Sequence, residues 1–171
     1  MLRRLALAVL VLVVALAAWA HWPIDSLPPG TTADRILVEK AARRLTLFRG
    51  DSALRTYPVS LGLAPVGPKE REGDKKTPEG AFRITEHKAD SSYHLALRVS
   101  YPEPADIARA KQAGYSAGSD IMVHGLPNGL GLFGRTHRLR DWTAGCVALT
   151  NPEIEEIFRV VTRDARIEIR P

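Results

Sequence analysis

Cysteine is almost missing from this chain: Cys146 is the only one in 171 residues. No disulfide can form within one molecule, so the fold must rest on its own apolar core, and one domain of this length can bury one. Long apolar runs are missing after residue 20, and no repeat or low-complexity tract occurs, which excludes solenoids and leaves the N-terminal segment as the one candidate for a membrane helix. Aromatic residues make up 6% and are not interleaved with a basic helix, so the usual nucleic-acid modules are absent. The net charge is +5, but Arg3 and Arg4 belong to the leader, leaving +3 for the rest. So mild an excess suits an anionic polymer such as cell wall better than nucleic acid.

Residues 1–20, MLRRLALAVLVLVVALAAWA, pair a basic start with an unbroken apolar run from Leu5 to Ala20. That is the form of a signal peptide, with Ala18-Trp19-Ala20 as an A-x-A cleavage site. An N-terminal membrane anchor is the rival reading, although sixteen apolar residues are fewer than the roughly 20 of a spanning helix. Either way the Arg pair stays inside and the remainder is exported to the periplasm or cell envelope, anchored at the inner membrane if uncleaved. Residues 21–33, with Pro23, Pro28, Pro29 and Gly30, read as a linker.

From 34 to 171 the pattern predicts one mostly-β domain, a sandwich or barrel with two or three short helices. Strands are expected at 35–39, 45–48, 54–61, 81–86, 94–100, 120–124 and 165–170. A long polar loop fills 63–80, with Lys75, Lys76 and Thr77 expected to face solvent. A helix is expected over 103–112, with Gly114 as its stop, and another from Asn151, read as its cap, with Arg159 and Arg163 closing it.

The chemistry concentrates between His124 and Thr150. A lone exported thiol is either a hazard or a tool, and Ala144-Gly145 before Cys146 leave the backbone approachable, with N–H groups free to face a substrate. Cysteine attacks as thiolate, and imidazole is its usual base; His124, ending the apolar run Ile121-Met122-Val123, is the candidate. Both residues also have structural readings, a buried thiol and a core-edge histidine. His137 invites a zinc site with His124 and Cys146, but the spacing matches no standard pattern. His21, His87 and His94 read as surface or strand residues.

At His124-Gly125, and at Thr143-Ala144-Gly145-Cys146-Val147, the chain resembles the L,D-transpeptidases with the YkuD-type catalytic domain, in the branch carrying Asp-Trp-Thr-x-Gly-Cys. The likeness extends upstream through SLG at 60–62 and GDKKTPEGAFRI at 73–84, covering most of 34–170. It implies a β-sandwich with the catalytic Cys146 and His124 at one end. It also implies that the Gly125 carbonyl orients His124 and that peptidoglycan stem peptides are the substrates. Ala144 and Gly145 supply oxyanion donors, together with the Cys146 N–H. Carbapenem-type amides are implied as acylating inhibitors, and no cofactor or metal is called for.

Two departures stand out: Ala144 fills a slot where many members have His, and Ala148 one where many have Arg. The second removes the usual grip on a substrate carboxylate. Arg135, Arg138 and Arg140 are the candidate replacements, guanidinium forks being suited to carboxylates, with Trp142 and Thr143 as further substrate-binding candidates and Asp141 beside them as cleft wall. The expected enzyme is a cysteine acyltransferase whose acceptor is an amine. A murein amidase or hydrolase acting on a wall-peptide or wall-protein linkage, and a non-catalytic wall-binding domain, remain open at this point.

Overall fold

The computed structural model describes residues 1–171. The apolar leader forms α1 (Leu2–Ala20), with its side chains exposed and only Ala20 buried. Eight strands follow: β1 (Ala33–Glu39), β2 (Arg44–Arg49), β3 (Ser52–Pro58), β4 (Gly80–Ser91), β5 (His94–Val99), β6 (Met122–His124), β7 (Val147–Ala148) and β8 (Val161–Arg170). They form one sheet in the order β3-β2-β1-β8-β4-β5-β6-β7. Of the expected mostly-β forms, sandwich or barrel, the structure is the barrel-like one: a single curled sheet, a half-barrel, with a few helices. Strand β4 makes this continuity: its first residues, Gly80–Arg83, pair with β8, and Ile84–Ser91 pair with β5.

The strands follow from alternation. In β1, Ile36 and Val38 point into the core while Arg35, Leu37 and Glu39 stay partly exposed, the period-2 pattern of a half-buried strand. Twenty-five buried residues make one apolar cluster, including Leu45 and Leu47 from β2, Leu97 and Val99 from β5, and Ile167 and Ile169 from β8. Helix α3 (Asn151–Val160) closes it with Ile154, Ile157 and Val160. Burial on this scale, at about 25 cal/mol per Å² of apolar surface, is what replaces the missing disulfides.

The structure corrects several expectations. Thr150, not Asn151, caps α3, its hydroxyl and the Glu153 carboxylate forming a reciprocal capping box. Asn151 instead accepts the Leu126 N–H through its side-chain oxygen (2.9 Å). Arg163 lies in β8, because β-branched Val160-Val161-Thr162 pass straight from helix to strand. Between β6 and β7, Gly131–Leu139 make 3-10 turns, broken at Gly134. The other helix, α2 (Pro104–Gln112), begins at Pro104 with a Glu103–Asp106 capping box.

The 63–80 loop is a hydrogen-bonded frame rather than a solvated flap, and Thr77 is fully buried. Lys40, 2% exposed, reaches under it to the carbonyls of Gly67 (2.7 Å) and Thr77 (2.9 Å) and to Glu79 (2.7 Å). Asp74 accepts from Lys69 Nζ (2.8 Å) and from the N–H groups of Glu70, Arg71 and Lys76. Burial alone would raise its pKa, but those donors outweigh it and hold the carboxyl at about 2.

Candidate active site

Strands β6 and β7 run parallel, with Val123 opposite Val147 and His124 opposite Ala148. Cys146 precedes β7 by one residue, so continuing the register sets it level with Met122, on the same face as His124. The segment Ser60-Leu61-Gly62 is sutured to the same edge. Ser60 exchanges both backbone hydrogen bonds with Ala148 (3.0 and 2.8 Å), and Leu63 N–H donates to Thr143 O (3.0 Å). Asp141 accepts the Leu61 N–H (2.8 Å) and pairs with Arg43 (2.9 Å). Thr77 Oγ1 accepts the Gly62 N–H (3.0 Å). The SLG, KTPEG and DWTAGC stretches, far apart in sequence, therefore form one hydrogen-bonded unit.

Thr143, 4% exposed, shapes the turn before the thiol: its Oγ1 donates to Cys146 O (2.8 Å) and accepts the Gly145 N–H (3.1 Å). Gly145 has φ 137°, and a β-carbon there would lie 2.6 Å from Lys76 O, so only glycine lets the 63–80 frame approach this closely. The expectation that Gly145 donates to an oxyanion is corrected, since that N–H is spent on Thr143. The N–H groups of Ala144 and Cys146 bond to no other group in the chain, and Ala144 is exposed.

His124 is buried, 3% exposed, and its Nδ1 lies 2.7 Å from Gly125 O. A carbonyl only accepts, so Nδ1 carries the proton and Nε2 is left as an acceptor. Burial lowers its pKa to about 4, against the smaller opposing effect of the Gly125 carbonyl. Burial also pushes the Cys146 thiol up, and the Met122 N–H pulls the other way. The thiol lies 3.5 Å from Asp120 O, a weak S–H donor contact. Both shifts favour the uncharged forms, thiol and neutral imidazole, over an ion pair.

Aromatic rings wall the histidine. Tyr93 lies 4.4 Å from it, centroid to centroid, and Trp142 stands edge-on at 5.8 Å. The Trp142 indole donates to His137 Nδ1 (3.2 Å), which makes His137 a support for Trp142. Burial lowers the His137 pKa to about 3, with Arg138 and His124 adding to the effect. Beyond Trp142 opens a cleft of about 560 Å³ lined by Leu126, Leu130, Phe133, Leu139 and Arg140 among others.

The three candidate arginines separate. Arg138 is paired with the buried Glu153 carboxylate, and Arg135 donates to the Trp19 (3.4 Å) and Trp22 (3.0 Å) carbonyls. Neither is left for substrate, which corrects two of the three expected grips. Arg140 is exposed at the cleft. Sequence reasoning missed Tyr93, Lys40 and Lys69. Lys40 did carry a signal: it follows Ile36 and Val38 at period 2, so it belongs to the buried face. Tyr93 sits in the β4–β5 turn and belongs to no motif.

Known proteins share this fold and much of its sequence. The family profile of the L,D-transpeptidase catalytic domain (YkuD) matches residues 33–169. YafK of Escherichia coli K12, named as a candidate L,D-transpeptidase, is 32% identical over 112 residues, which are 64% of this chain and 37% of YafK. Pgp2 of Campylobacter jejuni, a helical cell shape determining protein, superposes with a TM-score of 0.62 at 23% identity, over 90% of this chain and 53% of Pgp2. Bd1075 of Bdellovibrio bacteriovorus gives 0.54 at 26% identity, over 84% and 50%. This chain thus spans about half or less of the length of these relatives. From residue 33 to 169, in fold and in sequence, the chain belongs to the L,D-transpeptidase catalytic-domain family.

Proposed function

We propose that the protein is an exported cysteine acyltransferase acting on peptidoglycan stem peptides. The observation that carries this reading is Cys146, one residue before the strand that pairs with His124, in a turn whose Ala144 and Cys146 N–H groups are unengaged, beside a His124 whose Nε2 is an acceptor. As substrate enters, Sγ attacks the amide carbonyl at the stem peptide's third residue and His124 Nε2 takes the thiol proton. The two N–H groups then hold the oxyanion; one such donor is worth about 3–4 kcal/mol. The imidazolium returns its proton to the departing amine of the terminal D-amino acid, leaving a thioester on Cys146. An acceptor amine, deprotonated by the same imidazole, attacks the thioester and frees the thiol. With both groups neutral at rest, His124 acts as a general base during attack rather than as half of a preformed ion pair. Arg140 and Trp142 are the side chains proposed to meet the substrate, and Thr143 the one that holds the turn.

One observation favours a second reading, an amidase or hydrolase in which water, or a wall-linked protein's linkage, replaces the amine chemistry. Ala148 is fully buried, and Arg135 and Arg138 are engaged elsewhere. Only Arg140 remains to grip a terminal carboxylate, so acceptor and donor choice differ from an arginine-bearing site. Incubation with tetrapeptide-bearing wall fragments and mass analysis of the products separates the two. Transfer gives cross-linked products with release of the terminal D-amino acid; hydrolysis gives shortened peptides alone. Unchanged fragments, with no acyl group on Cys146, would sink both.

A further inference from the structure

The end of the leader helix is fastened to the 131–135 turn, part of which lines the cleft. His21 Nε2 donates to Leu132 O (2.7 Å), and one guanidinium, Arg135, bonds the carbonyls of Trp19 and Trp22. Those two carbonyls lie on either side of the expected cleavage point after Ala20. Gly134 has φ 46°, and a β-carbon there would lie 2.3 Å from Ala20 O, so glycine lets the helix end seat directly on the turn. Downstream, Leu27 is buried in the core, its N–H bonded to Glu156 (2.5 Å) and its carbonyl to Arg159 (3.2 Å). The stretch read from sequence as a linker is therefore fastened at both ends.

The other face of that wall is apolar and uncovered: Leu132 is 68% exposed, Phe133 49% and Leu139 83%. Helix α1 has 19 residues; its apolar run Leu5–Ala20 is about 24 Å long at 1.5 Å per residue, and Trp22 extends it towards the roughly 30 Å of a bilayer's hydrocarbon. Trp19 and Trp22 stand at its end, where interfacial aromatics belong, and Arg3 and Arg4 at its start. A turn bonded to residues 19–22 sits at that interface. We infer that α1 is retained as an anchor and that Leu132, Phe133 and Leu139 rest in the phospholipid surface on the exported side. The cleft beside Trp142, which shares Phe133 and Leu139 with this face, is then held at the membrane. The inference rests on residues 1–20 being an export segment and is independent of the chemistry at Cys146.

The test uses the full chain carrying Cys146→Ser with one new thiol, Phe133→Cys, labelled with an environment-sensitive dye. It is reconstituted in phosphatidylethanolamine–phosphatidylglycerol vesicles containing lipids spin-labelled just below the headgroup. The same label at Lys111→Cys serves as the control, since no hydrogen bond or ion pair joins Lys111 to the leader or to 131–139. Interfacial side chains sink about 5–10 Å, so quenching at 133 should exceed that at 111 by at least about threefold. Equal quenching at the two positions, in a chain that floats with the vesicles, overturns the surface. Dye shielding at 133 that ignores the spin label points to a second copy and overturns it too. A chain that does not float with vesicles overturns anchor and surface together. None of these outcomes bears on whether Cys146 is a nucleophile.

Discussion

At the scale of single residues, the site depends on which backbone groups are engaged and which are left open. Thr143 holds the turn with two hydrogen bonds, to Gly145 N–H and Cys146 O. Thr143→Val keeps the shape but strands a buried N–H, at a cost of about 1–3 kcal/mol. Turnover should fall by about tenfold or more as the thiol loses its placement. Melting temperature and kcat, measured on the same preparation, check this; unchanged turnover would mean that Thr143 only fills space. His124→Ala should lower the rate by roughly two to four decades, the usual worth of a positioned base. With a neutral resting pair, iodoacetamide alkylation of Cys146 should be slow near pH 7 and rise with pH in wild type. Cys146 and His124 stood out in the sequence because cysteine is singular and His-Gly ends an apolar strand, and the structure sets them on one face where β6 and β7 pair. The spending of the Gly145 N–H was not, since it depends on where one hydroxyl turns.

At the scale of elements, the 63–80 loop shows where sequence reading stops. Its length and its Pro and Gly content mark it as functional or mobile, but its order comes from partners outside it: Lys40 on one side, Gly62 and Gly145 on the other. Lys40→Met keeps the apolar stem and removes three hydrogen bonds, leaving Glu79 without its ion pair. Breaking such a pair costs about 3 kcal/mol when well buried, and Glu79 is 19% exposed, so this is an upper figure. Amide exchange across 63–80 should quicken while the β1–β2 ladder stays protected; uniform protection would contradict the strut. The strands were legible because a half-buried strand prints its alternation in the sequence. The 3-10 turns at 131–139 were hidden, because their few apolar residues face outward and no helical stripe forms.

At the scale of the whole molecule, two histidines are folded in neutral form, and this sets an acid limit. The folded pKa values of His124 (about 4) and His137 (about 3) lie below the ordinary 6.5. The unfolded chain therefore binds protons first, and stability is complete above pH 6.5 and falls as pH drops towards 4. His124 accounts for up to about 3 kcal/mol of this loss. Urea midpoints at pH 7 and pH 4.5 should differ by that order, and a His124→Phe chain should show a flatter slope. Asp74, held at about 2, adds a second decline below pH 4. The mostly-β class was legible from alternation, but the choice between sandwich and barrel was not, because it depends on β4 pairing with both β8 and β5. The central claim is that Cys146 is an acylable nucleophile beside a working oxyanion hole, and a strained amide tests it most directly. The intact mass of the protein, after incubation with a carbapenem, should rise by one inhibitor in wild type and not in Cys146→Ser. With Arg140 alone to hold the inhibitor's carboxylate, the reaction should be slow and need high concentration. No adduct on wild type at concentrations that spare a control thiol, or an equal adduct on the serine variant, would contradict it.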